Sequence, residues 1–279
     1  LRAAEYVDYP GVAAAKLPVL ETLYQYFRAY HLARDSKRAQ AFRKFQERGG
    51  ELLYRHALYE ALQEHFHRLD SNTWGWPAWP ETYRDPNAPA VAEVAAREAA
   101  RVEFYQYLQW QAEQQLGAAG RHSAELGLGV GVYQDLAVSV DRGGAETWAL
   151  QSLYAQGASI GAPPDELALQ GQDWGLPPLV PRRLRDVGYA PFIATLRANM
   201  RHAGALRIDH VMGLMRLFWV PAGKTAQDGA YVCYPFAELL GILALESQRN
   251  QCLVIGEDLG TVPDELRARL GPMNVLSYR

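Results

Sequence analysis

Along the first part of the chain, apolar and polar positions alternate with the period of a helix. Apolar and aromatic residues recur at helical spacing from Pro18 to Phe27, and again from Glu51 to Leu69 through Leu52, Leu53, Leu58, Leu62 and Phe66. Each repeat predicts a helix with one buried face. The next segment, Asn72 to Pro86, holds Trp74, Trp76, Trp79 and Tyr83 among Pro77, Pro80 and Pro86. Proline has a fixed φ and no N–H to donate, so this stretch predicts neither a regular helix nor a central strand. An Ala-, Glu- and Arg-rich run from about Ala90 to Leu116 predicts one long helix. Residues 1–120 thus read as a mostly helical subdomain.

Beyond residue 120 the texture changes. Three short apolar runs each end in an acid: GLGVGVYQD at Asp135, GALRID at Asp209 and CLVIGE at Glu257. They are 74 and 48 residues apart, more than a hairpin needs, and the second gap has room for a helix and a sizeable loop. Apolar strands joined by long crossovers predict a parallel sheet buried on both faces, an α/β segment over residues 121–279. No internal repeat or low-complexity tract interrupts it.

Composition narrows the classes. The 279 residues are 49% hydrophobic, ample for a large core. With 28 basic and 31 acidic residues well mixed and a net charge of −3, the chain lacks the basic surplus of a nucleic-acid footprint. Cys233 and Cys252 stand among apolar neighbours without CxxC spacing and predict buried free thiols. No apolar run approaches the roughly 18 residues that span a bilayer. Val211–Val220 comes nearest, and Arg216 interrupts it. No signal peptide is visible, but the chain opens on Leu1 and ends on a strand-like run, so its natural termini are expected to lie elsewhere.

The candidate chemistry sits at the ends of the apolar runs. Strand side chains alternate, so in Leu206-Arg207-Ile208-Asp209 the apolar pair shares one face and the charged pair the other. An inward-facing Arg and Asp are costly unless they pair or do work, and a structural salt bridge is the plain alternative. In the run from Cys252 to Gly260 an apolar strand ends in Glu257 and Asp258. Thr261 then reads as a helix N-cap with Asp264 at the capping-box position. Glu257 thus closes a strand before a βα loop, where parallel α/β folds collect catalytic groups. The alternative is a pair of solvated loop acids. If Asp209 and Glu257 stand about 5 Å apart, they fit the nucleophile and acid/base of a retaining glycosidase. Arg207 would keep Asp209 ionised as nucleophile. Glu257, in a more apolar setting, would be general acid and then base.

Other features carry less. Gly127, Gly129 and Gly131 suggest a dinucleotide loop, but Val132 breaks GxGxxG. Gly129 and Gly131 are expected instead to leave inward space beside Tyr133. His65 and His67 lie two apart, no HExxH exists, and neither a metal nor a cofactor is implied.

ALRIDHVMGL at 205–214 and VIGEDLGTVP at 254–263 resemble the two signature segments of amylomaltases, the 4-α-glucanotransferases of the α-amylase-like superfamily. In the same order, GVYQDLAVSV at 131–140, GAPPDELALQGQDWGLPP at 161–178, PFIATLRANM at 191–200 and GAYVCYPFAELLGILALES at 229–247 resemble that family too. VDYPGVAAAKL at 7–17 does so more weakly. The resemblance implies a (β/α)8 TIM barrel, incomplete at both ends, with a helical insertion. It implies retaining transfer of α-1,4-glucan segments between maltooligosaccharides through a covalent glucosyl-Asp intermediate, in the cytoplasm, with no nucleic-acid or membrane partner. On this chain the family's nucleophile falls on Asp209 and its acid/base on Glu257. The preceding arginine falls on Arg207, the sugar-contacting histidine on His210 and the earlier strand-closing aspartate on Asp135. Its flexible donor-site loop falls on Asp165, Gln172 and Trp174, with Asp173 where relatives often carry Asn or Arg. The family's third carboxylate, in an HDLPT-like segment, does not occur before Arg279, so these residues alone are expected to be inactive. Two alternatives remain: a hydrolase of the same superfamily, and a non-catalytic glucan-binding protein. Trp74, Trp76 and Trp79 are expected to be local packing rather than a second glucan site.

Overall fold

The computed structural model describes residues 4–166, 168–260 and 262–277, which divide into two compact units, Leu1–Gln115 and Leu116–Arg279. The first unit is helical. Helix α1 (Tyr9–Tyr30) starts at Asp8, whose carboxylate accepts from the Gly11 N–H at 2.9 Å, and it runs through Pro18. Helix α2 (Lys37–Leu69) breaks at Gly50 (φ 51°, ψ −141°), a conformation that side chains with a Cβ avoid. The long helix expected to begin near Ala90 is instead two, α3 (Pro89–Arg97) and α4, which starts at Ala99 and continues to Glu125. The break falls at Glu98 (φ −100°, ψ 22°).

Aromatic rings fill this unit's core. Tyr24, Phe27, Phe42, Phe104, Tyr107 and Trp110 are all buried in one cluster. Arg101 ties the helices together, donating at 2.7 Å to both Glu21 of α1 and Glu64 of α2. The Pro-rich segment forms two short 3-10 turns, Trp76–Ala78 and Glu81–Tyr83. Trp79 is fully buried there and donates to Gln63 Oε1 at 3.0 Å. Trp74 stays 70% exposed beside His67.

In the second unit, β1 (Tyr133–Leu136), β4 (Ala205–Ile208), β7 (Leu253–Gly256) and β8 (Val275–Ser277) form an open parallel sheet in the order β1-β4-β7-β8. β4 and β7 end one residue before Asp209 and Glu257, and Asp135 lies within β1. Of the two glycines expected to leave space beside Tyr133, Gly129 faces open space, while Tyr133 itself is half exposed. Gly131 has φ +72°, and a Cβ there would meet Ser123 Oγ at 2.7 Å, so a turn rather than a pocket requires it.

A second sheet was not anticipated. It is antiparallel, ordered β3-β2-β5-β6, from β2 (Ala158–Ala162), β3 (Gln172–Asp173), β5 (Arg216–Pro221) and β6 (Ala230–Cys233). The first two of the parallel sheet's three crossovers contribute to it, β2 and β3 lying between β1 and β4 and β5 and β6 between β4 and β7. The apolar run Val211–Val220 is a 3-10 turn followed by β5.

Helices α5 (Ala145–Ala149), α6 (Pro181–Asp186), α7 (Ala190–Met200), α8 (Phe236–Asn250) and α9 (Asp264–Leu270) complete the unit. Leu196, Met200, Leu206, Leu243, Val254 and Leu266 belong to its core. Across α7 and α8, Arg197 forks onto the buried Glu246 with bonds of 2.9 and 2.8 Å. Cys252 lies in that core, and burial pushes its thiol up to about 11. Cys233, expected to be buried as well, is exposed at the end of edge strand β6. Helix α9 begins at Asp264 after Pro263, with no side-chain cap; the N-cap expected at Thr261 lies outside the described residues. Among the described residues no helix is long and apolar enough to cross a membrane.

Candidate active site

Strand register assembles the site. Asp135 of β1 pairs directly with Arg207 of β4, so both side chains leave the same face. Arg207 donates to Asp135 Oδ1 and, two residues along, to Asp209 Oδ1, each at 2.7 Å. The bonds to Asp135 and Asp209 outweigh partial burial and raise the guanidinium's pKa, keeping it charged. Leu206 and Ile208 point the other way and are buried, as strand alternation predicts.

Glu257 stands beside this pair. Ile208 of β4 is paired with Gly256 of β7, so Asp209 and Glu257 each occupy the next position on adjacent parallel strands. The Glu257 N–H bonds to the Ile208 carbonyl at 2.9 Å, and the Asp209 N–H to that of Leu136 at 2.9 Å. Gly256 makes the approach possible, since a Cβ there would meet Val211 at 2.9 Å.

The apolar setting expected for Glu257 is not found. Its carboxylate accepts the His210 N–H on Oε2 at 2.9 Å and the Leu259 N–H on Oε1 at 2.8 Å. After β4 the chain turns at His210, which adopts φ 49° and gives its N–H to Glu257. The His210 ring is mostly buried; burial lowers its pKa, and Glu257 and Asp209 pull the other way.

The loop residues named from sequence partly converge here. Trp174 meets the His210 ring edge-on at 5.3 Å, and its Nε1 donates to Gln172 Oε1 at 2.9 Å. Asp173 holds the same loop, accepting from Ser159 Oγ at 2.5 Å and from the Gly175 N–H at 2.9 Å. Asp165 closes a turn of its own, accepting from the Ala168 N–H at 2.6 Å.

Two features escaped the sequence. A cavity of about 390 Å³ lies against Asp209 and His210, lined mainly by apolar groups including Ile208, Leu214, Phe192, Tyr154 and Tyr234. Tyr154 donates to Glu146 at 2.6 Å and Tyr234 to the Leu179 carbonyl at 2.6 Å. These residues come from a strand, a helix and separate loops, and share no spacing signal. The second is Asp258, which is not a solvated loop acid but is 5% exposed and bonded to Arg267 and Ser277. Among the described residues no group of three His, Cys, Asp or Glu side chains is arranged to hold a metal.

Comparison with known proteins agrees with this architecture. The profile of the 4-alpha-glucanotransferase family, glycoside hydrolase 77, matches residues 1–279. A 4-alpha-glucanotransferase of Haemophilus influenzae is 46% identical over the whole chain, which spans 40% of that relative. One of Mycobacterium tuberculosis is 41% identical over 94% of the chain and 34% of the relative. A crystal structure of amylomaltase from Corynebacterium glutamicum superposes with a TM-score of 0.80 at 34% identity, covering 96% of this chain and 34% of that one. Amylomaltase from Streptococcus agalactiae in complex with acarbose shares the fold with a TM-score of 0.79 at 21% identity, over 96% of this chain and 52% of that one. The chain thus spans well under half the length of these curated relatives, and it belongs to the 4-alpha-glucanotransferase family.

Proposed function

We propose that this chain carries the nucleophile and the acid/base of a retaining 4-α-glucanotransferase acting on maltooligosaccharides and other α-1,4-glucans, its parallel strands being part of a (β/α)8 barrel. The observation that carries the reading is the placement of Asp209 and Glu257 at equivalent positions on adjacent parallel strands. Neighbouring strands lie about 4.8 Å apart, which suits the roughly 5 Å separation of a retaining pair.

In the first step a carboxylate oxygen of Asp209 attacks the anomeric carbon, the glycosidic C–O bond breaks, and Glu257 gives its proton to the departing oxygen. In the second step the 4-hydroxyl of an acceptor sugar attacks that carbon. Its proton passes to Glu257, and Asp209 leaves as the carboxylate. Arg207 aims Asp209 through its bond to Oδ1, with Asp135 holding the far side of the guanidinium. His210 and the loop bearing Gln172 and Trp174 contact the sugar in the donor site, to which Asp165 also contributes. The match to the 4-alpha-glucanotransferase family over residues 1–279 supports an α-glucan substrate here.

The test uses active enzyme containing this chain with Glu257→Gln. An α-maltotriosyl fluoride donor has a good leaving group, so the first step should still proceed and the adduct should accumulate on Asp209 in intact-mass spectra. Absence of that adduct would show the roles to be wrong. Maltotriose as sole substrate then separates transfer from hydrolysis: longer maltooligosaccharides support transfer, whereas new reducing ends without longer products would identify a hydrolase.

A further inference from the structure

Asp258 follows the proposed acid/base directly, yet its side chain turns the other way. It is 5% exposed. One carboxylate oxygen accepts from Arg267 Nε of α9 at 2.9 Å and the other from Ser277 Oγ of β8 at 2.7 Å. A second Arg267 nitrogen donates to the Asp258 carbonyl at 2.9 Å. Both the side chain and the main chain of this one residue are therefore bonded to elements that follow it.

The bend fixed in this way has an immediate effect on its neighbour. Leu259 follows Asp258, and its N–H is one of the two main-chain donors to the Glu257 carboxylate. The other, from His210, comes from the end of β4. Glu257 is thus held between two strand ends, and the position of one of its two donors depends on how residue 258 is anchored. Structural stabilisation alone would be served by a buried Asp–Arg pair anywhere between β7 and α9. Here the pair sits between the carboxylate and one of the groups that hold it.

We propose that Asp258, through Arg267 and Ser277, is a positioning residue for Glu257, setting the orientation of the proton donor toward the departing sugar oxygen. The inference rests on the reading of Glu257 as acid/base. Its signature is leaving-group dependence. A misaimed general acid slows cleavage of a glycosidic bond, which needs a proton, but spares loss of fluoride, which needs little help.

The experiment compares Asp258→Asn, Ser277→Ala and Glu257→Gln in active enzyme containing this chain, with maltotriose and α-maltotriosyl fluoride as donors. First-turnover fluoride release reads the step without acid assistance, and kcat on maltotriose reads it with. Asp258→Asn should lower kcat on maltotriose by about tenfold or more, the scale of a small displacement of a catalytic group, with KM and fluoride release changed less than about twofold. Ser277→Ala removes one bond and should show the same split more weakly, which covers the case in which Asp258→Asn does not fold. Equal losses with both donors, or no loss with maltotriose, would overturn the proposal. The Glu257→Gln control isolates the underlying reading: if fluoride release fails in that variant as well, Glu257 is not the acid/base.

Discussion

At the scale of single residues, the contrast between Arg207 and Asp258 shows what a sequence discloses. Strand alternation alone places Arg207 and Asp209 on one face, opposite Leu206 and Ile208, and the structure has them so. Arg207→Met should lower kcat/KM by about 100-fold, the scale expected when a catalytic carboxylate loses its guide. Arg207→Lys should recover only part, since an ammonium cannot reproduce two divergent donors in one plane. Steady-state kinetics on maltotriose check both, and a loss below about threefold for the Met variant would argue against the role. Asp258 was not legible, because its partners Arg267 and Ser277 lie 9 and 19 residues away and nothing local marks them as converging. Glu257 likewise looked apolar in its strand, while the donors that surround its carboxylate are main-chain groups that no residue type announces.

At the scale of elements, the three acid-terminated runs were readable as parallel strands because each is a compact apolar stretch with turn residues behind it. The antiparallel sheet was not. One of its strands is only two residues long, and the others interrupt segments that read as crossover. The break between α3 and α4 at Glu98 falls without Gly or Pro and leaves no trace in composition. The packing of α7 on α8 makes a test of its own. Glu246 is buried, and its bond to Arg197, with help from Arg249 and against the effect of burial, holds its carboxyl below the usual range. In the unfolded chain it titrates near 4.3. Its contribution is therefore complete above that value and lost as the pH falls below it. Urea midpoints between pH 3 and 7 should drop more steeply below about pH 4.3 in the parent than in Glu246→Gln, and parallel curves would refute the link. In the same layer, Leu243→Ala should lower unfolding stability by about 2–5 kcal/mol, because its site is wholly enclosed.

At the scale of the whole molecule, the two free thiols report on burial. Cys233 should react with Ellman's reagent in the native protein. Cys252, 2% exposed and with a raised pKa, should react only on unfolding, so one thiol should titrate before denaturant is added and two afterwards. The change from helical texture to strand texture near residue 120 was visible because the hydrophobic period itself changes there. The boundary between the compact units falls at residue 115, inside a helix that continues across it. The peptide joining Asp209 to His210 has a wider meaning. Its N–H is bonded to Glu257, so one amide stands between the two proposed catalytic acids and belongs to neither side chain. Of the two donors that hold Glu257, this one is also a neighbour of Asp209 along the chain: a shift in the end of β4 displaces Asp209 and one anchor of Glu257 together, and evolution can exchange the imidazole without losing that anchor, provided the replacement tolerates the left-handed turn.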